Sequence, residues 1–353
     1  MRAMRTVLLV AATAASIACA RAPSAPAAGA DQAFPGETRL RNVRQLTFGG
    51  ENAEAYFSFD GKELVFQSTR GGRTCDQEFV MRPDGSGVRR VSTGQGIVTC
   101  GYFFPDGSRI VYASTHESMG PDCPPKPDRT EGYVWALYDY QLYTARPDGT
   151  DLRPLAPAPG SYNAEATISK DGWMVFTSTR DGDLDLYKMR LDGSGLTRLT
   201  NTPGYDGGAF FSADGKRIVW RASRPAPGQE LDEYRALLAR KLVRPRKLEI
   251  WVMNADGSDP HQVTSLGAAS FAPFFHPDGR RIVFASNVRD PRGGNFDLYL
   301  VNDDGSGLER ITTYDGFDGF PMFSPDGRKL VFASNRNGKR VGETNVFIAD
   351  WAE

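Results

Sequence analysis

The sequence predicts an all-β fold, a six-bladed β-propeller of four-stranded blades closed by the N-terminal strand completing the last blade. Three observations predict it. A pattern of an aromatic or apolar residue, an Asp-Gly pair and a β-rich run ending in Ser occurs six times. The repeat aspartates, Asp60, Asp106, Asp171, Asp214, Asp278 and Asp326, are 46, 65, 43, 64 and 48 residues apart, and three of these gaps match the length of a four-stranded blade. A second Asp-Gly turn follows five of the units, at Asp84, Asp148, Asp192, Asp256 and Asp304. Asp-Gly between β-rich runs marks a tight hairpin, because glycine takes positive φ without steric cost.

In chain order, residues 1–18 read as a secretory signal: Arg2 and Arg5 precede an apolar run over 6–18. Ser16-Ile17-Ala18-Cys19 resembles a bacterial lipobox, in which Cys19 would be lipidated; ordinary cleavage near Ala22 is the alternative. Residues 19–39 are Ala/Pro/Gly-rich and read as a flexible tether. Residues 40–353 form the propeller. Each blade has strands A to D, with the first Asp-Gly turn joining A to B and the second joining C to D. The outer strands fall at 88–92, 152–155, 196–200, 261–264 and 308–312. The sixth blade lacks its own, and Arg44-Gln45-Leu46-Thr47 matches the strand that is missing. Closure of this kind leaves no long unpaired edge.

The FSPDG-type units, followed by DLYLVNDDGSG and LERIT, resemble the WD-like repeats of the TolB β-propeller family over roughly residues 40–353. The resemblance implies a six-bladed periplasmic propeller. TolB carries an α/β domain before its propeller, whereas a signal and a tether are read here, so the resemblance is carried to the fold and not to Tol–Pal transport.

Composition narrows the function. Formal net charge is −1, with 40% hydrophobic and 24% charged residues, which gives no electrostatic footprint for nucleic acid. No apolar run reaches the roughly 20 residues that span a bilayer, so a membrane is met only through a lipidated Cys19. A monomer is expected.

Comparing the six blades separates architecture from site. Asp181, Asp183 and Asp185 imitate a calcium loop, but a polar residue starts strand C in every blade, which assigns Asp185 to architecture. Asp181 and Asp183 remain as weak calcium candidates, which need further converging oxygens. The irregular features all fall in B–C and D–A connections, on the face opposite the hairpins. Blade two has an insertion over 116–133 and blade four one over 224–247. Residues 229–240 carry Leu231, Tyr234, Leu237 and Leu238 on one helical face, read as a packed helix or as a lid.

The starts of the A strands should rim the central channel. Asn52 with Glu54, Asn163 with Glu165, Asp206 and Asp318 form an acidic rim there, and Arg70, Arg180, Arg224, Arg289 and Arg336 lie in B–C loops of the same face, with His116 at the equivalent place in blade two. This rim suits a polar ligand, a cation or a peptide terminus; alternatively the acids and arginines pair and staple the blades. Three cysteines, Cys75, Cys100 and Cys123, fall on the same face. In an oxidising compartment one disulfide is expected, with Cys75–Cys100 favoured and Cys123 able to reach either partner. With His116 the three also make a zinc alternative of non-standard spacing; no cofactor is the expectation.

No Gly-x-Ser-x-Gly elbow, phosphate-binding loop or HExxH motif is present. The expected function is non-catalytic binding of a protein, peptide or glycan in the periplasm through the channel-mouth face. The alternative is a propeller hydrolase or polysaccharide lyase using Glu54 and Glu165 as acid and base. Propellers similar to TolB's occur in oligogalacturonate lyases and beside serine peptidase domains. Those lyases use a metal and several histidines, and the peptidases a separate hydrolase domain.

Overall fold

A computed structural model describes residues 31–128, 130 and 132–353. The signal, Cys19 and residues 19–30 of the tether lie outside them. Six four-stranded antiparallel sheets are arranged as blades, and the first strand, Leu40–Gln45, pairs with the last, Asn345–Trp351, to complete blade six. Closure is tied twice more: Val346 N–H donates to Thr47 Oγ1 at 2.8 Å, and Leu46 N–H to the Val346 carbonyl at 2.8 Å. Ser92, Thr200, Thr264 and Thr312 accept the corresponding strand-C amide in blades one, three, four and five. Thr47 is therefore the sixth blade's copy of a repeating clasp.

The core follows from the repeat. A valine occupies the same place in every strand B (Val65, Val111, Val175, Val219, Val283 and Val331), and all six are 0% exposed. The next residue is aromatic and faces an aromatic on strand C: Phe66 with Phe79, Tyr112 with Tyr143, Phe176 with Tyr187, Trp220 with Trp251, Phe284 with Tyr299 and Phe332 with Phe347. Each pair is directly opposed in register, the arrangement in which cross-strand aromatics stabilise a sheet.

Residues 31–39, read from composition as the end of a flexible tether, are instead folded against the disc. Asp31 accepts the Ala33, Asn42 and Val43 amides. Glu37, 3% exposed, pairs with Arg336 at 3.0 Å. Two specific carboxylates, invisible in an Ala/Pro-rich composition, hold the segment. Among the described residues no helix is long and apolar enough to cross a membrane.

A roofed cavity at the channel mouth

The predicted rim residues divide into two groups. Asn52 is fully buried; its amide donates to the Gly49 and Thr344 carbonyls, and its oxygen accepts from Ser68 and Arg70. Asn163 repeats this with Ser161, Ser178 and Arg180. Arg70 and Arg180 then lie over the aromatic pairs of their own blades. Asp206 joins Trp220 Nε1 at 2.6 Å and Arg224 at 2.7 Å. Asp318 and Glu37 enclose Arg336. His116 rests on Tyr143, bonded to Ser114. These eight groups lie in clips at one end of blades one, two, three, four and six. All but His116, which holds only Ser114 and Tyr143, staple strand A to the end of strand B within a blade, and the two asparagines also tie neighbouring blades.

Glu54 and Glu165 do face the channel. Strand side chains alternate, so Asn52 and Glu54 were expected on one face, but a β-bulge intervenes. Every strand A breaks register at this point, and Glu54, Cys100, Glu165, Gly208, Ala272 and Phe320 all take φ between +50° and +59°. A bulge of this kind re-aims a side chain. Repeated six times, it builds a ring around the axis. Below the ring Tyr56, Tyr102, Phe210 and Phe274 make contacts of 5.2–6.0 Å across the axis, and free space falls to about 30 Å3. The channel is a cup, not a tube.

Arg221 was missed from the sequence. Gly208 leaves its ring position empty, and a Cβ there would overlap the Arg221 guanidinium. Arg221 reaches in from strand B, pairs with Glu165, and bonds the Tyr205 hydroxyl. The signal was present: Gln67, Ala113, Thr177, Ala285 and Ala333 hold its place in the other blades, and Arg221 breaks that series.

The two insertions meet. Trp135–Ala136 from blade two pairs antiparallel with Leu242–Val243 from blade four, forming a two-stranded roof at the channel mouth. Beneath it lies a cavity of about 990 Å3. Its walls include Trp135, Tyr140, Tyr162, Tyr205, Phe271 and Phe317, and its floor Glu54, Cys100, Glu165 and Arg221. Arg246, Lys247 and Arg292 lie among the outer lining residues. The helix Gln229–Ala239 does not line the cavity; it buries Tyr234 and Leu237 and is anchored by the Tyr234 hydroxyl on Asp183. The lid is therefore the strand after the helix. Asp183 is thus engaged by a packing contact and by the Gly204 amide, and Asp181 by the Tyr187 hydroxyl. Among the described residues no three His, Cys, Asp or Glu side chains converge as a metal site.

The disulfide is Cys75–Cys123, with Cα atoms 5.7 Å apart, and not Cys75–Cys100. The bulge turns Cys100 into the ring, where it is free and buried. The insertion folds back through a Gly96 N–H to Pro121 carbonyl bond at 2.8 Å, setting Cys123 over Cys75. The crosslink closes a sequence separation of 48 residues, worth about 4 kcal/mol by loop entropy alone, and it fixes the foot of the roof to blade one.

Charge is unevenly satisfied on the floor. Glu165 accepts from Arg221, Tyr205, Thr177 and the Gly208 amide. Glu54 has no cation partner among the described residues; burial, with Glu165 adding to it, pushes its carboxyl up to about 7, against the Cys100 thiol and Arg221. Behind it Asp76 is also pushed up to about 7 by burial, and Glu78, which has no cation partner among the described residues, is raised well above its usual range by burial, with Glu54 and Asp76 adding to it.

Residues 244–341 match the family model of the TolB beta propeller domain. An uncharacterised protein, Atu1656, from Agrobacterium fabrum is 28% identical over 116 residues, 33% of this chain and 33% of its own length, so the match spans a third of that relative. Among solved structures, one assigned as TolB from Agrobacterium tumefaciens superposes with TM-score 0.60 at 21% identity, covering 88% of this chain and 94% of that one. TolB from Acinetobacter baumannii superposes with TM-score 0.55 at 17% identity, covering 86% of this chain and 64% of that one. At these identities the likeness is one of fold.

Proposed function

We propose that this chain, a TolB-like six-bladed β-propeller, is a non-catalytic binding protein of the periplasm that takes part of a protein, peptide or glycan partner into the roofed cavity. One observation carries the reading: two insertions, from blades separated by a third, pair with each other and, with loops of blades five and six, line a half-open cavity of about 990 Å3 at the channel mouth. A propeller needs neither insertion to close its ring, and the cavity volume is at the large end of ligand cavities. The lining fits recognition by burial, since aromatic walls supply area and a few polar groups fix orientation. The one ion pair on the floor is internally satisfied, and the three histidines lie elsewhere: His116 in a blade clip, His261 exposed in an outer strand, and His276 beside Asp278. The signal-like residues 1–18 and the Cys75–Cys123 disulfide support an oxidising envelope compartment.

Trp135 in the roof reports on the cavity. Titration with short peptides and with oligosaccharides is expected to change its fluorescence in a saturable way, and Trp135→Phe identifies the signal. Gly294→Trp places bulk in the lining, where a Cβ meets no heavy atom within 4 Å, and is expected to weaken binding at least tenfold. Binding unchanged in Gly294→Trp, or turnover of the added ligand, would contradict the reading.

A further inference from the structure

Glu54, bonded by the Cys100 thiol and the Tyr56 hydroxyl, is the floor carboxyl that the fold leaves without a counter-ion among the described residues. The other floor carboxylate is saturated by Arg221, Tyr205, Thr177 and a backbone amide. Arg221 is in turn consumed by Glu165 and Tyr205 and lies against the Trp135 ring at 5.2 Å. The floor therefore carries one carboxyl in excess of its cations. Glu54 lines both the ring and the cavity, so it is deep in the protein yet open to whatever fills the cup. Tyr140 and Tyr162, whose rings are 5.8 Å apart, line the same cavity.

We propose that the inner end of the cavity is a cation subsite, in which the Glu54 carboxylate and the tyrosines lining the same cavity receive a primary ammonium group carried on an apolar body. The proposal rests on the cavity being a binding site and names what its deepest position selects. A largely enclosed carboxylate bonded only by neutral donors lacks the counter-ion that offsets its desolvation, and an ammonium delivered by a ligand supplies that charge while its body covers the aromatic walls. Ring faces add attraction for the same cation. An anionic ligand end would meet an uncompensated carboxyl there, and is expected to be rejected.

The groups facing Glu54 set the pH dependence. They are Tyr56 on its own strand, Cys100 and Glu165 from the next two blades, Arg221 from blade four, and Asp76 and Glu78 behind it. Across neutral pH Arg221 stays charged and the Cys100 thiol, raised by burial, stays neutral. Glu54 and Asp76 both ionise near pH 7, so ammonium binding strengthens as pH rises through about 7.

The test measures benzylamine, benzyl alcohol and benzoate binding by calorimetry and Trp135 fluorescence on the whole protein. At pH 8 benzylamine is expected to bind at least tenfold more tightly than benzyl alcohol, with benzoate weakest. The benzylamine advantage shrinks at pH 5.5 in the unaltered protein, which requires no variant to fold. In Glu54→Gln the benzylamine advantage over benzyl alcohol disappears, whatever the affinity of the alcohol itself. Equal affinity for the amine and the alcohol in the unaltered protein overturns the subsite while leaving the cavity reading intact. An advantage that survives Glu54→Gln also overturns it. Failure of all three probes to bind overturns the subsite and counts against the cavity.

Discussion

Replacing Arg336 by alanine is expected to destabilise the protein by about 3–5 kcal/mol at pH 8, the cost of leaving buried charges without their counter-ion. The guanidinium is fully buried between Glu37 and Asp318, at 3.0 and 3.1 Å, and is stacked on Phe332 at 5.0 Å. Its loss strands both carboxylates at the joint where the N-terminal segment meets blade six. The sign of the pH effect follows. Burial already raises Asp318 to about 6, with Arg336 the chief group pulling it down. Without Arg336 that carboxyl rises further. Its protonated form is then the one the fold tolerates, so the deficit is largest where the group is ionised and diminishes as pH falls toward 5. Urea unfolding at both pH values measures it. Adding Glu37→Gln and Asp318→Asn to Arg336→Ala should recover most of the loss. A deficit below about 1 kcal/mol at pH 8, the size of an exposed ion pair, would show that the buried cluster does not hold the segment.

A comparable loss, about 3–5 kcal/mol, is expected for Arg221→Ala, with an added effect on the cavity. Arg221 supports Glu165, the Tyr205 hydroxyl and the Trp135 ring together. Removing it opens the Gly208 gap in the ring and frees the inner face of the roof. Stability should fall and Trp135 emission should shift to the red as water reaches the indole. Glu165→Gln in the same chain removes the stranded charge and should return most of the stability without restoring the Trp135 signal. A variant that unfolds like the parent, with unchanged emission, would mean that Arg221 neither fills the ring nor braces the roof.

The architecture was legible because the repeat states it six times. Asp-Gly turns, the strand-B valines and the aromatic pairs are local signals, and Thr47 is a recognisable copy of the clasp threonine. Both insertions were placed on the correct face by the same logic. The finer placement of the site was not legible, for physical reasons attached to particular residues. Glu54 and Cys100 sit on bulges in left-handed conformation, which breaks the alternation used to orient them. That one feature separated Glu54 from Asn52 and took Cys100 out of the expected disulfide. The pairing of Trp135–Ala136 with Leu242–Val243 joins segments about a hundred residues apart, too short to show a strand period. Arg221 was accessible to the comparison of blades, as the one charged residue in its column, but it lay in a core strand rather than a loop.

The pairing of the two insertions is also where the account is most directly exposed to test. Ala136 and Leu242 are opposed Cα partners, a relation in which a disulfide between neighbouring strands is geometrically accessible. Ala136→Cys with Leu242→Cys, purified without reductant, should give a peptide joining the two insertions on mass spectrometric mapping, alongside the Cys75–Cys123 peptide. Recovery of both introduced thiols free, with Cys75–Cys123 intact, would mean that the insertions do not meet and that the cavity has no roof.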